Sequence, residues 1–144
     1  MANVVPNSFK GELLSGTHNF ASGGESFKLA LYTANPYTTS STAYSSGAGN
    51  EVSGSAAGYS TGGSALTSQA VASSTATASV DFANLTFSSA TFAAAFGAIY
   101  NDDKSDKLVV ILDFGGTKTA TNGDFTIAFP DPSTPSNAII SLTS

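Results

Sequence analysis

The chain has no cysteine, no arginine and no tryptophan, and its imidazole chemistry rests on one residue, His18. Without cysteine there is no disulfide scaffold, no thiolate nucleophile and no sulfur ligand for zinc. That absence fits folding in a reducing compartment. Without arginine the chain lacks the side chain best matched to bidentate phosphate recognition. Its 5 lysines face 10 Asp and Glu residues for a net charge of -5, and they do not cluster, so nucleic acid is not an expected partner. No apolar run approaches the ~18 residues that cross a bilayer. The opening residues, MANVVP, hold neither a basic leader nor an apolar stretch. Synthesis in the cytoplasm and no membrane partner are the expectations.

Charged residues make up 10% of the chain, where about 25% is typical of a soluble domain. Solubility then rests on hydroxyls and exposed backbone. A catalyst concentrates groups that move protons, attack carbon or hold a metal, whereas this chain is rich in Ser, Thr, Ala and Gly. The expectation is a protein that works as a surface, with no enzymatic activity, no cofactor and no metal.

At this length one domain, 1–144, can bury a two-layer core, removing roughly two-thirds of its unfolded surface from water. The spacing of Phe9, Leu13 and Leu14, with Asn7 or Ser8 as N-cap, predicts a short helix ending near Gly16, in preference to the competing reading of a strand from Lys10 to Phe20. FKLALYT, from Phe27 to Thr33, alternates with a period of two and predicts a strand. Residues 34–64 then form a long Ser/Thr/Gly-rich loop or arm, whose few large side chains are Tyr37, Tyr44, Val52 and Tyr59. Structureless stretches beyond ~12–15 residues are uncommon in compact domains unless something holds them.

Strand patterns follow at Leu66–Ser73, Thr75–Phe82, Thr91–Asn101, Lys107–Phe114, Asp124–Phe129 and Ala138–Thr143. In Thr91–Asn101, strict alternation puts Phe92, Ala94, Phe96, Ala98 and Tyr100 on one face. KLVVILDF is apolar on both faces and predicts a central strand. The polar run 101–106 suits a hairpin, Asn122-Gly123 a type I′ turn, and Pro130, Pro132 and Pro135 a stiff connector. The predicted core contains Phe27, Leu29, Leu31, Phe92, Phe96, Val109, Ile111, Phe125 and Ile127. No repeat or heptad is present. The fold class is mainly β: an antiparallel β-sandwich or jelly-roll-like domain with a short N-terminal helix and a long loop.

Candidate chemistry is thin. His18 lacks a nucleophile-elbow serine and reads as a hydrogen-bonded residue at an element end. Asp102, Asp103 and Asp106 could converge on calcium, but interleaved Lys104 and Lys107 favour a solvated hairpin, and the spacing is not that of an EF-hand. A glycosidase needs two carboxyls held ~5–9.5 Å apart, and nothing pairs Glu12, Glu25, Glu51 or Asp113. Gly47-Ala48-Gly49, Gly62-Gly63 and Gly115-Gly116 fit no phosphate-binding loop and read as turns and bulges.

Taken together, SFKGELLSGTHNF, FKLALYT, NEVSGSAAGYSTGGSAL and AIYNDDKSDKLVVILDFGGTKTATNGDFTIAFP resemble, in this order, a family of small virion-associated proteins of tailed bacteriophages. The most specific pieces are Asn50-Glu51-Val52-Ser53-Gly54 with Gly58-Tyr59 and Gly62-Gly63, and Ile99-Tyr100-Asn101 with Leu112-Asp113-Phe114-Gly115. Ala56 and Ala57 lengthen the loop relative to the family's pattern. The resemblance implies a virion structural component, a decoration or cement protein on the outer capsid surface whose partner is the major capsid protein, and it carries over no catalytic residue. Self-association, with a trimer matching an icosahedral shell, is the accompanying expectation. The contact residues expected are Phe9 and Leu13 on the N-terminal segment and Tyr37, Tyr44, Val52 and Tyr59 on the arm. Two alternatives stand beside this reading. One is a tail or fibre component touching the host through the tyrosines, and the other is a small carbohydrate-binding or hydrolytic β-sandwich using Glu51 and Asp113.

Overall fold

Strand-forming segments dominate the second half of the chain, and the architecture follows from how their apolar faces are covered. The computed structural model describes residues 2–130 and 138–144. Its elements are a helix α1 (Asn7–Leu14) and strands β1 (Phe27–Tyr32), β2 (Ser64–Ala65), β3 (Ala70–Ser74), β4 (Thr77–Asp81), β5 (Leu85–Asn101), β6 (Lys107–Ile127) and β7 (Ile140–Thr143). They form two antiparallel sheets, one ordered β2-β1-β5-β6 and the other β3-β4-β7. This is the sandwich-like, mainly β fold with one short helix that the sequence pattern predicts. The stiff connector expected at Pro132 and Pro135 lies outside the described residues.

Helix α1 begins one residue earlier than a side-chain cap would require. Pro6 occupies the N-cap position and no side chain caps the helix, so neither Asn7 nor Ser8 serves as the expected N-cap. Its end is built as expected. Gly16 takes φ +73°, its N–H reaches the Leu13 carbonyl, and the Thr17 N–H reaches the Glu12 carbonyl. These two bonds are the Schellman arrangement, which satisfies the last carbonyls through a left-handed glycine.

Strand β1 is buried on both faces, and the two faces belong to different clusters. Phe27, Leu29 and Leu31 join the main core with Phe9, Phe20, Val80, Phe82, Phe92 and Phe125. Ala30 and Tyr32 join a second cluster with Tyr37, Ala98, Tyr100, Leu108 and Ile111. The four-stranded sheet is therefore the middle layer. The three-stranded sheet and α1 cover one face, and the first part of the arm, with Tyr37, Tyr44 and Ala48, covers the other, while Val52 and Tyr59 further along the arm reach round into the main core. Every predicted core residue is buried except Phe96, which is half-buried.

The long hairpin β5–β6 corrects three expectations. First, Asn122-Gly123 does not reverse the chain. β6 runs straight through it, with Ala90 opposite Gly123 and Phe87 opposite Phe125, and Asn122 uses its φ of +49° to absorb a register shift. Second, β5 does not keep one alternation. Register shifts near Ser88-Ser89 and Ala95 change the parity, so Phe92 and Ala94 face the main core while Phe96, Ala98 and Tyr100 face the arm. Third, β6 is an outer strand and not the central one. Its stretch Leu108–Leu112 is buried all the same, because Val4 pairs with Ile111 and Ala43 with Lys107, so the N-terminal segment and the arm cover the outer edge there.

The arm lies on the sheet at two glycines that admit no side chain. A Cβ on Gly63 would sit 1.8 Å from the Leu29 carbonyl oxygen, and one on Gly58 would sit 2.7 Å from that of Ser88. Gly115, also at positive φ (+70°), faces open space. Gly63→Ala is therefore expected to cost more than about 3 kcal/mol, and Gly115→Ala only about 1–2 kcal/mol. Denaturant titration of the two variants checks this, and equal losses would remove close approach as the cause.

Candidate interaction surface

Between residues 34 and 64 the single charged residue is Glu51, and the arm is organised around it. Its Oε1 accepts hydrogen bonds from the Tyr59 hydroxyl (2.7 Å) and the Gly62 N–H (2.6 Å), and its Oε2 accepts one from the Tyr44 hydroxyl (3.0 Å). The Tyr59 hydroxyl oxygen in turn accepts the Leu31 N–H of β1 (3.0 Å). The neighbouring backbone completes the attachment: Val52 N–H bonds the Leu31 carbonyl and Thr33 N–H the Asn50 carbonyl. Tyr44 stacks on Tyr100 with ring centres 4.4 Å apart, and the Tyr100 hydroxyl donates to the Gly62 carbonyl (2.7 Å). Tyr32 and Tyr37 share a hydroxyl–hydroxyl bond of 2.9 Å. Burial raises the Tyr32, Tyr44 and Tyr59 hydroxyls above the usual tyrosine range, with an added push from the acceptors beside them. All three stay protonated and donate wherever a carboxylate is on offer.

A second carboxylate pins α1. Glu12 accepts from the Lys107 ammonium through Oε1 and from His18 Nε2 (3.0 Å) through Oε2. His18 Nδ1 faces the amide nitrogen of Asn101 (3.0 Å), which also donates to Glu25 (2.7 Å). The Asn101 amide is oriented by these contacts, because its Oδ1 accepts the Asp103 N–H. An amide nitrogen only donates, so Nδ1 of His18 accepts and the ring proton sits on Nε2, toward Glu12. Glu25 holds the following turn, accepting from Asn19 N–H (2.9 Å) and pairing with Lys104 (3.1 Å). His18 is thus the hydrogen-bonded residue that its sequence context suggests, packed between Phe9 and Phe20.

Burial by itself would raise the Glu12 and Glu25 carboxyls. The hydrogen bonds from Lys107 and His18, and from Asn19, Asn101 and Lys104, outweigh it and hold both below the ordinary glutamate value.

The aspartates of the hairpin 101–106 go separate ways. Asp103 accepts the Ser26 N–H (2.6 Å), Asp102 pairs with Lys28 (3.0 Å), and Asp106 is raised by burial and by nearby Asp102. Among the described residues no three His, Asp or Glu side chains gather to hold a metal ion. Glu51 and Asp113 do not converge either: Glu51 is tied to the arm, and Asp113 lies at the β6 bulge, accepting the Gly115 N–H (2.9 Å) while its own N–H bonds Asn3.

Four of the six expected contact residues lie inside the fold. Phe9, Tyr37, Val52 and Tyr59 are each no more than 6% exposed, so they hold the arm and helix down and do not present themselves to a partner. Leu13 and Tyr44 are partly exposed. Sequence reasoning missed the large apolar side chains that do face solvent: Leu14 (87% exposed), Val71 (55%) and Leu142 (57%). Leu14 and Leu142 flank one groove of about 480 Å3 between α1 and β7. Val71 and Leu142 line an adjoining cavity of about 250 Å3. An isolated exposed leucine needs no explanation, whereas several around one groove mark a contact surface.

Comparison with protein-family models, with curated proteins and with solved structures finds no match to this chain.

Two outcomes follow. Glu51→Gln leaves three donors facing an amide that can satisfy fewer of them, and is expected to cost about 1–3 kcal/mol and to open residues 34–64 to limited proteolysis. Cleavage unchanged from the parent chain would show that apolar burial alone holds the arm. Glu12 and Glu25 have depressed folded values, so the stability they contribute is complete above the unperturbed 4.5 and is lost as pH falls through the folded values. Melting midpoints measured between pH ~3 and ~6 should fall with acid, and the fall should be shallower in the double variant Glu12→Gln, Glu25→Gln.

Proposed function

We propose that the chain is a structural protein of a tailed-bacteriophage virion, a decoration or cement protein that binds the outer surface of the capsid lattice and contacts the major capsid protein. The observation that carries this reading is the division of labour among its side chains. The three glutamates and the single histidine are engaged in holding the arm, the helix and the turn after it to the sheet, while exposed aliphatic side chains gather around the α1–β7 groove. The sequence resemblance points the same way.

On a shell, each copy would bridge neighbouring capsid subunits through contacts that are individually weak and repeated over the lattice, so that avidity replaces single-site affinity. Association of copies around a local symmetry axis, a trimer on an icosahedral surface, would add to this. The dense internal bonding suits the role: a rigid body transmits load between subunits, where a loose arm would stretch.

The test is copy number in purified particles by quantitative mass spectrometry, together with the temperature at which particles lacking the chain release their genome. Abundance comparable with the major capsid protein and earlier genome release in its absence are expected. A few copies per particle, matching tail symmetry, would move the chain to the tail, and enzymatic turnover by the purified protein would end the structural reading.

A further inference from the structure

Strand β7 borders the larger groove along its edge and not along a face. The groove is lined by the consecutive residues 139–142, and consecutive strand residues point to opposite faces. Only the edge of the strand is shared by all of them. That edge is open. Ser144 N–H bonds the Ala76 carbonyl, and β7 pairs with β4 with Leu142 opposite Ala78 and Ile140 opposite Val80. In an antiparallel ladder the inward-bonded residues alternate, so Ser141 and Thr143 turn their N–H and C=O groups outward. Among the described residues no backbone partner meets them.

Across the groove stands α1, with Phe9, Leu13 and Leu14 as an apolar wall and Lys10. Lys10 is exposed and its one described contact is a 3.4 Å hydrogen bond to the neutral Asn7 side chain, whereas Lys28, Lys104 and Lys107 each meet a carboxylate. The adjoining cavity shares Leu13, Ile140 and Leu142 with the groove and includes Ser79, whose buried hydroxyl has no hydrogen-bond partner among the described residues. The outer strands β3 and β7 carry neither a charged side chain nor a proline of the kind that blocks strand addition.

We propose that this groove receives an extended segment of a partner protein, which adds to the open edge of β7, buries aliphatic side chains at alternate positions against α1, and pairs a carboxylate with Lys10. The mode is strand addition: main-chain bonds to Ser141 and Thr143 give affinity, and the pockets on either side give specificity. Charge decides between a foreign segment and a second copy. β7 has no acidic side chain, so two copies joined edge to edge would leave Lys10 of each without a carboxylate from the other's strand. The proposal stands whether the partner belongs to the capsid, the tail or neither.

The experiment pans a short random-peptide display library on the full-length chain and synthesises the consensus peptide. The expected consensus alternates aliphatic and polar residues and contains Asp or Glu. Its binding should slow amide exchange at Ser141 and Thr143. It should weaken about tenfold or more in Lys10→Glu, where charge repulsion replaces attraction. Ser141→Pro removes an outward N–H without touching the β4 ladder and should weaken it likewise. Both variants are checked for an unchanged melting midpoint, and if the proline variant unfolds, Lys10→Glu decides alone. The proposal is overturned by the absence of any consensus, by a peptide that binds without altering exchange at those two amides, or by indifference to Lys10→Glu. It is equally overturned by sedimentation showing that the chain dimerises through this edge in a manner lost in Ser141→Pro.

Discussion

Three glutamates hold this fold to its shape. The chain contains no others, and each gathers several donors and so ties a segment without a strand ladder of its own to the rest of the fold. Glu12 ties the helix to β6 through Lys107 and to the next turn through His18. Glu25 ties that turn to the β5–β6 hairpin through Asn101 and Lys104. Glu51 folds the arm onto itself and, through Tyr59, onto β1. A partly buried carboxylate is costly to desolvate unless its lone pairs are occupied, and here the donors are backbone N–H groups, tyrosine hydroxyls and lysines. The arrangement lets a chain with few charges keep long irregular stretches ordered.

The buried aromatic side chains complete what the carboxylates start. Phe20 stacks on Phe27 at 4.5 Å and meets Phe82 edge to face, which joins the turn after α1 to both sheets. Tyr44 on Tyr100 and Tyr32 against Tyr37 do the same for the arm on the opposite face. Tyrosine suits this layer, because its ring is buried like an apolar side chain while its hydroxyl donates to an acceptor at the edge. Phenylalanine fills the main core, where few such acceptors exist.

How much of this is legible in the sequence depends on the range over which each feature is decided. The helix end at Gly16, the alternation of Phe27 to Tyr32 and the polar turn before Lys107 are local, and reading them succeeds. The faces of β5 are not local: bulges near Ser89 and Ala95 shift the parity twice, and neither residue type announces a bulge. Asn122-Gly123 is ambiguous for a physical reason, since a positive φ serves a bulge as well as a turn. The tyrosines of the arm look like contact residues because their partners are hidden in the sequence. The available signal was Glu51, a lone charge in a long polar segment with three tyrosines around it. Leu14 and Leu142 become a surface only once the helix and the final strand are placed side by side, and no local pattern reports that.

The covering of β6 has a consequence for growth. Ala43 meets that strand at Lys107 and Val4 at Ile111, so the wide sheet is closed to newcomers along the opening stretch of β6. Among the described residues the narrow sheet has no such guard at β7. The two outer edges are therefore unequal: strand addition is blocked along the opening stretch of β6, whereas the backbone of β7 is left able to accept another strand.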